Sequence, residues 1–255
     1  MKPDGGSELL PLDLPSDGKK GSALLLHGYT GYPGELYHLA KRLHKAGLAV
    51  SVPRLPGHGT DRRDFMATGR RDWLRRALDA YRDLAVRYGE VAIVGHSMGT
   101  LLAILVAAEF QPKSVVLLAP ALDFADRRLP WTRCLGLFVP VIRTGSPPPP
   151  EDAAGVRLAL HREYRSDLLV SQARQLVLLR AMAMRALPAV RSDILAILGS
   201  RDSSVRATAL DILRERARGA AGVRTEVMPD AGHLLQHSPP TRERCADLVL
   251  EWLAR

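Results

Sequence analysis

Gly95-His96-Ser97-Met98-Gly99 sets a hydroxyl nucleophile between two glycines. The pentapeptide follows an apolar run, Val91-Ala92-Ile93-Val94, and leads into helix-forming residues 100–110. A G-x-S-x-G at a strand-to-helix junction is a nucleophile elbow: a sharp turn lifts the serine hydroxyl off the sheet, and the flanking positions must be very small. A serine hydroxyl is a poor nucleophile at neutral pH, so it needs a base, and the base needs orienting. In chains with this elbow the partners follow in the order Ser, Asp or Glu, His. His233, in Asp230-Ala231-Gly232-His233, is the expected base. Asp202, in Gly199-Ser200-Arg201-Asp202, is the expected carboxylate. Each follows an apolar strand pattern, at the edge where open α/β sheets hold their ligands. Asp193 and Asp211 are weaker rivals, since one precedes its strand and the other falls in a helical pattern. His237 would make a metal pair with His233, but no third ligand or H-E-x-x-H pattern accompanies it, and no metal site is expected. His96 is expected to face away from the reacting centre and to serve packing.

The tetrahedral intermediate of acyl transfer needs hydrogen-bond donors for its oxyanion. One is expected to be the backbone N–H of Met98, directly after the nucleophile. The other is expected from the glycine-rich loop His27-Gly28-Tyr29-Thr30-Gly31, at the Tyr29 N–H.

These groups need a scaffold of short β-rich runs alternating with longer helical patterns, which implies parallel βαβ units. Ala23-Leu24-Leu25-Leu26-His27 reads as a strand buried on both faces. A helix is expected over 35–47, a strand over 49–55 and an amphipathic helix over 72–88. After the elbow come strands at 114–118, 194–198 and 225–228 and a closing helix over 241–253. Residues 123–191 break the rhythm and read as a cap, with the core at 1–122 and 192–255. The cap holds an apolar cluster including Trp131, Leu135 and Phe138, a stiff proline run at 147–150, and a Leu/Met-studded helix over 166–186 carrying Leu176 and Leu179. Either these side chains line an acyl-binding pocket, or they pack the cap onto the core.

The net charge of +9 raises a nucleic-acid partner, but the arginines are spread along the chain and aromatics make up only 5%, so none is expected. A cationic surface can still help the protein meet anionic lipid interfaces. Residues 1–22 are polar, with no apolar core of a secretory signal, and no run is long enough for a membrane span. Two cysteines exclude a disulfide framework, so a cytoplasmic location is expected.

Those segments, with Pro53-Arg54-Leu55-Pro56-Gly57-His58-Gly59-Thr60 and Trp73, resemble the α/β-hydrolase fold, and within it bacterial carboxylesterases and monoacylglycerol lipases. The resemblance implies a mostly parallel, doubly wound sheet with helices on both faces and a small lid between the sixth and seventh strands. It implies hydrolysis of short- to medium-chain acyl esters, monoacylglycerols included, without a cofactor; transient contact with a lipid interface through the lid is expected from the basic surface. Thr100 stands where such relatives usually carry a second glycine. A carbon–carbon hydrolase or a cofactor-free haloperoxidase or perhydrolase could keep the same three residues. A non-catalytic binding protein on this fold would be expected to have lost one of them.

Overall fold

The computed structural model describes residues 6–144 and 155–255. The proline run at 147–150 lies outside them. Seven strands form one sheet: β1 (Leu12–Leu14), β2 (Ser22–Leu26), β3 (Ala49–Val52), β4 (Val91–His96), β5 (Ser114–Leu118), β6 (Asp193–Gly199) and β7 (Gly222–Met228). Their spatial order is β1-β3-β2-β4-β5-β6-β7, with β1 antiparallel to β3 and every other pair parallel. Nine helices are described: α1 (Tyr37–Lys45), α2 (Arg62–Ala67), α3 (Arg70–Tyr88), α4 (Met98–Phe110), α5 (Thr132–Leu135), α6 (Gly155–Arg165), α7 (Val170–Ala186), α8 (Thr208–Arg216) and α9 (Pro239–Leu253). None is long and apolar enough to cross a membrane.

The strand sequences explain their central place. Every residue of β2 and β3 is buried, as parallel strands covered on both faces require. α4 is apolar around most of its circumference and buries nine of its thirteen residues, because α3 and α7 flank it on the sheet. α1 packs instead with α9. Register aligns the ends that matter: Leu26 pairs with Gly95, His96 with Leu118, Leu118 with Ile197, and Gly199 with Met228. The loops after β2, β4, β6 and β7 therefore leave the sheet along one edge.

The insertion follows the fifth strand here, not the sixth, because the described sheet has seven strands. The helix expected over 166–186 is α7, which begins at Val170, and a further helix, α6, precedes it across residues 166–169. α7 is the crossover helix that returns the chain to β6, and it packs on α4. Leu176 and Leu179, expected in the acyl pocket, therefore belong to the main core at 7% and 0% exposure. The insertion is tied to the loop before α2 by Tyr164, whose hydroxyl accepts from the Thr60 N–H at 2.9 Å and donates to the Gly57 carbonyl at 3.2 Å. An Arg62–Asp167 ion pair at 2.7 Å reinforces the junction.

Candidate active site

Ser97 joins β4 to α4 at φ 52°, ψ −117°, a backbone region that L-residues rarely occupy. Two close approaches force the turn. A Cβ on Gly99 would overlap the Leu26 carbonyl of β2, and one on Gly95 would overlap the Gly99 carbonyl. The Ser97 N–H donates to the Leu118 carbonyl at 2.9 Å, anchoring the elbow to β5. Thr100 supplies a second tie: its hydroxyl donates to the Ser97 carbonyl at 2.6 Å and accepts from the Ala121 N–H at 3.1 Å. The residue standing in place of a glycine thus braces the turn through hydrogen bonds.

The structure brings together the three residues expected to share chemistry. His233 Nε2 lies 3.0 Å from Ser97 Oγ, and His233 Nδ1 lies 2.8 Å from Asp202 Oδ2. The other carboxylate oxygen of Asp202 accepts from the N–H groups of Ser204 at 2.8 Å and Val205 at 2.9 Å. Burial opposes ionisation of Asp202, but the His233 hydrogen bond, its charge and these two amides outweigh burial and hold the carboxyl below its usual value. An ionised Asp202 accepts the Nδ1–H, which leaves Nε2 as a lone pair facing the serine hydroxyl. The two loops are also joined through their backbones: Arg201 N–H donates to the Ala231 carbonyl at 2.9 Å, and Asp230 N–H to Ser200 Oγ at 2.9 Å. The rival carboxylates lie elsewhere, Asp193 at the start of β6 and Asp211 in α8, paired with Arg214.

Met98 is the first residue of α4, so its N–H is one of the helix's unpaired N-terminal donors, at the positive end of the dipole. Tyr29 follows β2 in a turn closed by a Gly31 N–H to Gly28 carbonyl bond of 3.1 Å. Its ring packs at 5.4 Å from Phe65 and 6.4 Å from Trp73. Neither amide donates a hydrogen bond to another described residue. The segment after β3 wraps this loop: His27 Nε2 accepts from the Leu55 N–H at 3.1 Å, and the His58 ring lies 5.1 Å from His27. Burial pushes the pKa of His58 down to about 4 and that of His27 well below its usual value.

Two residues were undervalued in the sequence. His96 does not face away from the reacting centre: its ring lies 5.0 Å from that of His233. Glu35 is buried against Gly31 of the loop that carries Tyr29, and burial pushes its carboxyl up to about 7 against the pull of Arg157, the Tyr32 backbone and Arg165. An acidic residue two positions after a proline carries no such signal in one dimension. The remaining residues expected to bind substrate, Trp131, Leu135 and Phe138, point outward at 78%, 41% and 83% exposure. A cleft of about 260 Å³ is lined by Phe124, Pro130, Val177, Arg180 and Arg206 among others, and by none of the five residues expected.

Among curated proteins, the chain is 39% identical over 84 residues to a thermostable monoacylglycerol lipase of Bacillus sp. (strain H-257), covering 33% of this chain and 34% of that protein. It is 29% identical over 96 residues to a carboxylesterase of Bacillus subtilis (strain 168), covering 37% and 39%. The matches thus span about a third of the length of these relatives. Among solved structures, one from work on the metagenome-derived lipolytic enzymes LipS and LipT superposes with a TM-score of 0.83 at 22% identity, over 97% of this chain and 98% of that one. The monoacylglycerol lipase of Paleococcus ferrophilus does so with a TM-score of 0.72 at 19% identity, over 96% and 98%. At these identities the likeness is one of fold. The profile of the alpha/beta hydrolase family matches residues 23–247, nearly the whole sheet and all three residues at its edge, and the chain belongs to that family.

Proposed function

We propose that this chain is a serine hydrolase that cleaves carboxylic esters of short- to medium-chain acyl groups, monoacylglycerols among them, through an acyl-enzyme. The observation that carries the reading is the unbroken hydrogen-bond path from Ser97 Oγ through His233 to a buried, ionised Asp202. In the proposed reaction Ser97 Oγ attacks the ester carbonyl while His233 Nε2 takes its proton. The Tyr29 and Met98 amides receive the oxyanion, and His233 then protonates the leaving alcohol. Water repeats the cycle and frees the acid. The names of the two Bacillus relatives favour this chemistry over carbon–carbon hydrolysis or haloperoxidase activity. The test is a panel of aryl esters and monoacylglycerols of graded length, run against Ser97→Ala. Turnover is expected to fall by about 10⁴ or more in the variant, and the reading fails if most of the activity survives.

Of the segment 123–191, we assign the part that precedes α7 the role of a lid that meets lipid interfaces transiently. Trp131, Leu137 and Phe138 support this, as large apolar side chains in water beside Arg127, Arg128 and Arg133. Removing Trp131 and Phe138 together should weaken recovery with lipid vesicles and leave the turnover of a dissolved short ester unchanged. We also assign the protein to the cytoplasm, on the free state of Cys134 and Cys245.

A further inference from the structure

His96 ends β4, one residue before Ser97, and is 2% exposed. Its Nε2 lies 3.0 Å from the main-chain carbonyl oxygen of His233, a residue 137 positions away. A carbonyl oxygen only accepts, so the proton sits on Nε2 and Nδ1 carries a bare lone pair. That Nδ1 is buried with no partner among the described residues, on the side of Gly28, where a Cβ would come within 3.3 Å of it. Burial, then the neighbouring His233, hold the His96 pKa down to about 3, against its bond to the His233 carbonyl, so the ring stays a neutral donor at working pH.

Packing alone does not account for a histidine here. A leucine would fill the space without stranding a polar nitrogen in the interior, which carries a cost. What the imidazole adds is one directed bond to the residue that carries the base. Among the described residues, that bond is the one hydrogen bond made by the main chain of His233. The backbone ties of its loop sit on either side, at Asp230, Ala231 and Leu234.

We propose that His96 is a positioning residue for His233: by holding the His233 carbonyl it fixes the loop so that Nε2 of the base stays within hydrogen-bond reach of Ser97 Oγ. The residue before the nucleophile thus places the base. The proposal rests on the serine-hydrolase reading. A displacement of about 1 Å at a reacting group costs on the order of 100-fold in rate, which sets the scale of the effect.

The experiment compares wild type, His96→Leu, His96→Gln and His96→Asn. The readouts are steady-state turnover of p-nitrophenyl butyrate, the rate of Ser97 labelling by a fluorophosphonate, and the low-field proton resonance of the His233 Nδ1–H. Folding is checked by cooperative thermal melting. His96→Leu is expected to lower kcat by roughly 10–100-fold with KM changed less than about threefold, to slow labelling in parallel, and to broaden the resonance. His96→Gln, whose terminal amide can reach the same carbonyl, is expected to recover to within about threefold of wild type, whereas the shorter Asn is not. Folded His96→Leu with turnover and labelling within about twofold of wild type would overturn the proposal. So would His96→Gln as slow as His96→Leu, or, if the leucine variant fails to fold, Gln and Asn variants of equal rate. Failure of the wild-type protein to react with ester or probe would instead overturn the functional reading, and the His233 resonance, which needs no substrate, would still test the tether.

Discussion

Replacing Asp202 by asparagine should abolish turnover and leave the fold nearly untouched. One Asp202 oxygen accepts from Ser204 and Val205 N–H at 2.8 and 2.9 Å. In Asp202→Asn the amide oxygen must keep that place, because the alternative sets an –NH₂ against two donors. The –NH₂ then faces His233 Nδ1 at the 2.8 Å now spanned by the carboxylate bond. A donor there forces Nδ1 to accept, so the imidazole proton moves to Nε2 and points at Ser97 Oγ. The base has lost its lone pair where it is needed. The nearby negative charge that would stabilise the imidazolium is also gone. The expected loss in kcat is about 10⁴, or ~5.5 kcal/mol at ~1.36 kcal/mol per decade. Stability should move little, because both backbone donors keep an acceptor. Asp202→Ala strands the part-buried Val205 N–H and should fall below Asp202→Asn by about 1–3 kcal/mol. Steady-state kinetics on p-nitrophenyl butyrate and urea denaturation of both variants read the two effects. An Asp202→Asn protein keeping more than about a tenth of kcat would refute the tautomer argument. One that unfolds as early as Asp202→Ala would refute the pinned amide.

Three further outcomes are expected. Ser97→Gly should be more stable than Ser97→Ala by about 1 kcal/mol, since only glycine occupies φ 52°, ψ −117° without strain; equal melting of the two would count against strain at the elbow. Thr100→Val should cost about 1–3 kcal/mol in urea denaturation, with Thr100→Ser recovering most of it, because the Ala121 N–H loses its buried acceptor; a valine variant as stable as wild type would deny the brace. The buried imidazoles should make the protein acid-sensitive. Their pKa values are lowered in the folded state, to about 4 for His58 and about 3 for His96 and well below 6.5 for His27, with burial the main cause. The unfolded chain therefore binds more protons below its histidine pKa of 6.5, and stability is full above that value and lost as pH falls towards 4. Each imidazole contributes up to ~1.4 kcal/mol per pH unit. Glu35, raised to about 7, acts in the opposite sense between pH 7 and 4.5 and offsets one of the three. A net loss of several kcal/mol between pH 6.5 and 4.5 is expected from denaturant titrations, and a flat profile would show these imidazoles to be solvated.

Where the expectations failed, the cause lies in what a window of sequence can hold. β1 was not anticipated because it has three residues between prolines and alternates only weakly in burial at the sheet edge. α2 has six residues, too few for a helical period to show, and is fastened by an Asp61 cap that accepts from the Asp64 N–H. α6 was not anticipated, and α7 starts at Val170 rather than Ser166 because Leu168 is held in a bridge to Ile142. The five side chains assigned to an acyl pocket were equivalent as a composition of apolar residues. Docking of α7 on α4 sent Leu176 and Leu179 into the core, while Trp131, Leu135 and Phe138 were left facing outward.

The linear chain already held the chemistry: a serine between small residues at a strand end, a histidine and an aspartate after later strands, and the alternation that makes the sheet parallel. Those features are local, because an elbow needs its glycines at fixed offsets and a buried strand needs an apolar run. Only the folded molecule decided how the parts act on one another. Strand register along one edge brought positions 97, 202 and 233 within hydrogen-bond reach. The same closure seated His96 beneath a carbonyl 137 residues away. Contacts of that separation depend on which backbone donors and acceptors meet after the sheet has closed, and no local pattern of residue types encodes them.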